Sequence, residues 1–347
     1  MTNPAIDIIV PVWNSPFETR ACLAAIIRHS PGARMIIVDN GSSRETELMM
    51  EEFSEPLGEQ GLFIKSERNI GLVPAINMGL AHSNSDLAVV VRPHVLVSHG
   101  WLDGLREAAL GVPGPPVGIV SPVFSGSGAA PLLAINNRRD CPSIETFSVS
   151  FSALLLKREM RLRIGDFDEG LDSGEWCLTD YVRRAWSKGY RTCVTSRSHL
   201  VCGQEPVFGS DERREGKARI GREHYQEQWG VSRHYGVYFG ADTDAASLAD
   251  AVATIRAGAR QGHRFTLVLH RRQAREFCRC GWNCLHAGME IARLSLLMPQ
   301  RDLVRTIGSL RENVPGMIMV RWEDDAPVAG MEMAIPFAEM AALLGNV

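Results

Sequence analysis

The chain has 347 residues, 45% of them hydrophobic and 22% charged, with a formal net charge of -3. That balance belongs to a globular protein: it excludes disordered and collagen-like chains and lacks the basic excess of a nucleic-acid-binding domain, so no nucleic acid is expected as a partner. The sequence has no run of 18 apolar residues and no basic-then-apolar leader, so no transmembrane segment is expected and the cytoplasm is the expected location.

In chain order, the apolar run Ile6 to Val12 predicts a strand, and Pro16 to His29 an amphipathic helix. Met35 to Ser43 reads as a second strand stopping at Asp39, Asn40 and Gly41, before a polar helical stretch from Glu45 to Phe53. Leu62 to Ser66, a helix near Pro74 to His82, Leu87 to Arg92, and a helix near Trp101 to Ala109 continue the alternation. Strands alternating with helices predict an α/β fold with a mainly parallel sheet flanked by helices. In such sheets ligands bind beyond the carboxyl ends of the strands, where Asp39, Asn40, Asn69 and the loop from Arg92 to Val95 are placed.

After Trp229 and Gly230 a second, smaller α/β domain is expected, giving domains 1–230 and 231–347. Its predicted elements are the strand Gly236 to Gly240, the alanine-rich helix Ala245 to Arg260 and the strand Phe265 to His270. A helix-prone stretch, the helix Arg301 to Asn313 and the strand Met317 to Trp322 complete it. No Gly-rich phosphate loop stands in it. Eight cysteines are too sparse for a disulfide scaffold. The group Cys278, Cys280, Cys284 and His286 lacks paired metal-binding spacing, sits in the helix-prone stretch, and reads as buried or free thiols.

Several stretches of the first domain together resemble the family 2 glycosyltransferases with the GT-A fold. They are IIVPVWN (8–14), IIVDNGSS (36–43), RNIGLVPAINMGL (68–80), IGDFDEGL (164–171) with DYVRRAWSKGYR (180–191), and YQEQWG (225–230). The resemblance implies transfer of a sugar from a nucleotide-diphosphate sugar to a glycan or glycoconjugate acceptor. On that likeness Asp39 would hold the base and ribose, Pro11 and Val12 would wall the pocket, and Asn69 with Gly71 would let backbone approach the nucleotide.

The family's Asp-x-Asp motif, which binds Mg2+ or Mn2+ across the diphosphate, aligns here with Arg92 and His94, so a metal is not expected at those positions. Three readings stay open for this loop. Arg92 could neutralise the diphosphate itself, His94 with Cys202 or His199 could hold a softer metal, or the domain could be a catalytically inactive binding or assembly module. The family's general base aligns nearest Glu175, with Asp180 second and Asp172 third. Trp13, Trp101 and Trp176 offer flat surfaces for a sugar ring, or core packing. Arg183, Arg184 and Lys188 read as part of a solvated charged face. A second copy of the chain or a protein partner is the expectation for residues 231–347.

Overall fold

The computed structural model describes residues 5–111, 114–127, 141–171, 175–204, 211–322 and 330–345. The chain forms two compact units: Met1–Ser143 with Ser148–Glu227, and Ile144–Phe147 with Gln228–Val347. Among the described residues no helix is long and apolar enough to cross a membrane.

The first unit opens with β1 (Ile6–Val12), α1 (Pro16–His29), β2 (Arg34–Asn40), α2 (Arg44–Glu51), α3 (Ser54–Leu57) and β3 (Gly61–Ser66). It continues through α4 (Leu72–Ala81), β4 (Leu87–Val91), β5 (Val95–Leu96), α5 (Trp101–Gly111) and β6 (Val117–Ser125); β7 (Ser143–Glu145) begins at the last residue of this stretch, its Ile144 and Glu145 being counted with the second unit. The last elements are β8 (Ala153–Lys157), α6 (Arg158–Ile164), α7 (Glu175–Ser187), β9 (Arg191–Cys202) and α8 (Asp211–Trp229).

The strand order is β3-β2-β1-β4-β8-β6-β9-β5. The sheet is parallel from β3 to β4 and between β6 and β9, while β8 runs antiparallel to both its neighbours. Central position explains the composition of β1: every residue is buried, and apolar side chains occupy both faces, as covered parallel strands require. The exception is Asp7, 1% exposed, whose carboxylate accepts from the backbone N–H groups of Asn84 and Ser85 at 3.1 and 3.2 Å. Helix α4 lies so close to this sheet that a Cβ on Gly79 would stand 2.4 Å from Ile9 Cγ2.

The second unit contains β10 (His234–Tyr238), α9 (Ala245–Arg260), β11 (Arg264–Leu269), α10 (Arg271–Arg279) and β12 (Met289–Arg293). It ends with α11 (Pro299–Asn313), β13 (Ile318–Arg321), β14 (Ile335–Pro336) and α12 (Phe337–Gly345). Its sheet is parallel throughout, in the order β12-β11-β10-β13-β14.

The helix-prone stretch after β11 is corrected here. Helix α10 stops at Arg279, a turn follows at Trp282–Cys284, and β12 takes Met289–Arg293. Cys284 closes the short 3-10 turn, and His286 lies in an isolated β-bridge with Glu145, so neither is part of a continuous α-helix. Gly281 ends the helix: it adopts φ 71°, which favours a residue without Cβ. Cys278 and Cys280 are free, but Cys284, like Cys141, is disulfide-bonded, which overturns its reading as a thiol.

Glu145 belongs to this unit and is 5% exposed. Arg256 and Arg260 both donate to it in two-point fashion, at 2.7 and 3.3 Å and at 2.6 and 2.7 Å. Burial raises the Glu145 carboxyl, but the hydrogen bonds from Arg260 and Arg256 outweigh that and hold it at about 2.

Candidate functional site

Parallel pairing brings the carboxyl ends of β2, β1 and β4 side by side, so the loops at 13–15, 41–43 and 92–94 leave the same edge of the sheet. A cleft of about 110 Å³ opens there. Pro11, Val12, Asn69, Arg92 and His94 all line it, together with Trp13, Glu18 and Asn40. Ligand pockets for whole organic cofactors span about 300–1,000 Å³, so this space has room for only part of a ligand of that size.

The walls are held by short-range hydrogen bonds. Asn40 Nδ2 donates to Asn69 Oδ1 at 3.2 Å and to Gly71 O at 3.0 Å, while Asn40 Oδ1 accepts from Ile70 N at 2.9 Å. Asn69 Oδ1 also accepts from Gly71 N at 2.9 Å. Gly71 itself stands at φ 105° and does not line the cleft. Asn40 thus fixes the loop in which Asn69 and Gly71 were expected to act. Sequence reading placed Asn40 at a strand end but assigned it no role; its position in Asp-Asn-Gly-Ser was the available signal.

Asp39 is 5% exposed, and its Oδ1 accepts from Ser42 N at 2.9 Å. It shapes the turn after β2 and is not among the described residues that line the cleft. Opposite it, Asn14 and Ser15 are held in left-handed backbone at φ 53° and 56°. Asn tolerates that region; for Ser it stores of order 1–3 kcal/mol of strain. The conformation is enforced across the loops, since Asn14 N donates to Ser42 Oγ at 2.9 Å and Asn14 Oδ1 accepts from Ser43 N at 2.8 Å.

On the third side, Arg92 N donates to Ser152 O at 3.0 Å, and His94 Nε2 lies 3.2 Å from Ser152 Oγ. His94 is 8% exposed, and its carbonyl accepts from Gly203 N at 2.8 Å. Cys202 Sγ donates to Ser152 Oγ at 3.8 Å. Ser152 therefore anchors the Arg-Pro-His loop, a role hidden in the sequence because the residue sits within an apolar stretch.

A divalent cation, as the family likeness implies, does not fit these residues. The guanidinium of Arg92 offers only donors, and among the described residues Glu18 is the single carboxylate lining the cleft. Hard cations need several oxygen ligands. Among the described residues, no group of three or more His, Cys, Asp or Glu could hold a metal ion.

Glu175 and Asp180 are not among the described residues that line the cleft. Glu175 is exposed at the first turn of α7. Asp180 is 2% exposed and committed: Arg184 Nε donates to its Oδ2 at 2.7 Å. The same guanidinium donates to Ile164 O at 2.6 Å and Asp166 O at 2.9 Å, and stands 4.9 Å over the Tyr181 ring. Asp180 and Arg184 thus pin α7 to the 164–166 segment. Arg183, expected on a solvated face, is 4% exposed. Asp172 lies outside the described residues. Trp101 is core, Trp176 packs against Tyr225 at 5.4 Å between ring centroids, and Trp13 lines the cleft.

One further link was missed. Asn77 accepts from Phe167 N at 3.1 Å and donates to Phe167 O and Glu169 Oε1, each at 3.0 Å. It joins α4, whose first residue Leu72 lines the cleft, to the segment that precedes α7.

Glycosyltransferase AglE of Haloferax volcanii is 23% identical over 229 residues, covering 64% of this chain and 73% of that protein. A crystal structure of GalNAc-T7 with UDP, GalNAc and Mn2+ superposes with a TM-score of 0.51 at 14% identity, over 64% of this chain and half of that one. The mannosyltransferase PcManGT from Pyrobaculum calidifontis, in complex with GDP-Man and Mn2+, gives 0.48 at 22% identity, over 66% of this chain and 63% of that one. Residues 7–111, from β1 through α5, match the family model described as glycosyl transferase family 2, and the first unit has the fold of the GT-A glycosyltransferases.

Proposed function

We propose that the first unit transfers a sugar from a nucleotide-diphosphate sugar to a glycoconjugate acceptor, with Arg92 neutralising the diphosphate in place of a metal ion. The observation that carries this is the meeting of Pro11, Val12, Asn69 and Arg92 at one cleft beyond the ends of β1 and β4. A guanidinium binds phosphate oxygens bidentately and keeps its charge at any working pH. In a single displacement the acceptor oxygen bonds to the anomeric carbon as the bond from that carbon to the diphosphate breaks. The diphosphate leaves with the electron pair, stabilised by Arg92. Glu175 takes the acceptor proton, and inversion follows from attack opposite the leaving group. Asp39 supports the turn that faces the nucleoside, and the Asn40–Asn69 pair presents the Asn69–Gly71 loop to it.

Calorimetric titration with uridine and guanosine diphosphates, with and without Mn2+, tests this reading. Binding independent of Mn2+ and weakened about 10- to 100-fold by Arg92→Ala is expected, the loss of a charged hydrogen-bonding group. Binding that requires Mn2+ and ignores Arg92→Ala would sink it.

A second reading is a non-catalytic binding or assembly module with a partner surface in residues 231–347, favoured by the commitment of Asp180 to Arg184. It predicts diphosphate binding without turnover of any donor.

A further inference from the structure

In the second unit, a cavity of about 570 Å³ lies between α10 and the chain leaving β12. Arg271 and Arg275, one turn apart on α10, and Arg293 at the end of β12 all line it. None of the three enters an ion pair among the described residues; Arg293 Nη2 meets only Cys278 Sγ, at 3.6 Å. Residues 270–305 carry seven arginines and no lysine against three carboxylates, in a chain whose net charge is -3.

Leu296 lines this cavity and opens an apolar run beside it. Leu296, Leu297 and Met298 follow one another at 67%, 88% and 59% exposure. Three consecutive exposed large apolar residues are what a water-facing surface avoids. Hydrogen bonds brace the run at both ends. Ser295 N donates to Asp302 Oδ2 at 2.6 Å, Asp302 N donates to Met298 O at 3.0 Å, and Pro299 opens α11 directly behind. Leu294, 2% exposed, anchors the near end.

We infer that this face docks on a membrane surface, with the phosphate of an anionic phospholipid headgroup in the arginine-lined cavity and Leu296, Leu297 and Met298 inserted among the acyl chains beside it. Guanidinium groups without carboxylate partners suit phosphate, and apolar tips beside the same cavity suit the hydrocarbon boundary next to it. A soluble phosphorylated ligand would account for the arginines and leave the three apolar tips without a role.

Flotation of the full chain with vesicles tests the assignment, using phosphatidylcholine alone and phosphatidylcholine with phosphatidylglycerol, alongside titration with glycerol phosphate in solution. Capture only by the anionic vesicles is expected. Arg271→Gln with Arg275→Gln should weaken capture about 25-fold, at roughly fivefold per arginine. Leu297→Ser should weaken capture while leaving glycerol phosphate binding unchanged. All three side chains are exposed, and an unchanged thermal midpoint confirms that the variants fold. Equal capture by neutral vesicles, capture unaffected by the variants, no capture at all, or glycerol phosphate binding without capture would each overturn the proposal, the last pointing to a soluble anion.

Discussion

Gly41 faces two independent obstacles to any side chain. It sits at φ 71°, and a Cβ built on it would stand 2.3 Å from the backbone carbon of Arg68. Gly41→Ala must therefore push the 68–71 loop away from β2, stretching the bonds by which Asn40 holds it. A loss of about 2–4 kcal/mol is expected, read as a lowered urea midpoint, together with weakened diphosphate binding. A midpoint within error of the parent would show that the loop gives way freely. The residues on this edge were legible because strand ends and an Asp-Asn-Gly-Ser turn mark themselves in sequence. Their division of labour was not: which of Asp39 and Asn40 faces the cleft depends on the exit of β2, and Ser152 gains its role only through the antiparallel pairing of β8 with β4.

Among the elements, α7 carries the sharpest contrast. Its first turn offers an exposed Glu175, while its middle buries Asp180 against Arg184. Glu175→Gln is expected to cut kcat by about 10²- to 10⁴-fold with the nucleotide Kd unchanged, as loss of a general base does. Asp180→Asn should instead lower the thermal midpoint, since it leaves a partly buried guanidinium without its counter-charge, at a cost of about 3 kcal/mol. If the two variants exchanged these phenotypes, the assignments would have to be exchanged as well. Periodicity found most helices and strands because their apolar positions repeat cleanly. It failed at β12, where Glu290 and Arg293 break up a five-residue strand and the preceding α10 makes the whole stretch look helical. The pairing of β12 along β11 decides its conformation, and that information lies outside the segment.

At the scale of the whole molecule, the Glu145 cluster sets a pH dependence. A carboxyl held at about 2 in the folded state, against an ordinary value of 4.5, contributes stability that is full above the unfolded value and is lost as pH falls towards 2. The shift corresponds to about 3 kcal/mol. Glu145→Gln should therefore destabilise the second unit by a comparable amount near pH 7, with the gap between variant and parent closing between pH 4.5 and 2 in urea titrations. A gap constant across that range would refute the role of the ion cluster.

The four residues Ile144–Phe147 also bear on how the protein can be taken apart. They belong to the second unit although the 80 residues Ser148–Glu227 of the first follow them before that unit resumes at Gln228. A fragment cut at the composition change near Gly230 would lack Glu145, leaving Arg256 and Arg260 facing each other without their counter-ion. It would also lack the backbone carbonyl that accepts from Ala287 N at 2.7 Å. A gene fragment encoding the C-terminal stretch alone is thus missing a piece of its own core, and no single scissor cut along the chain yields two complete halves.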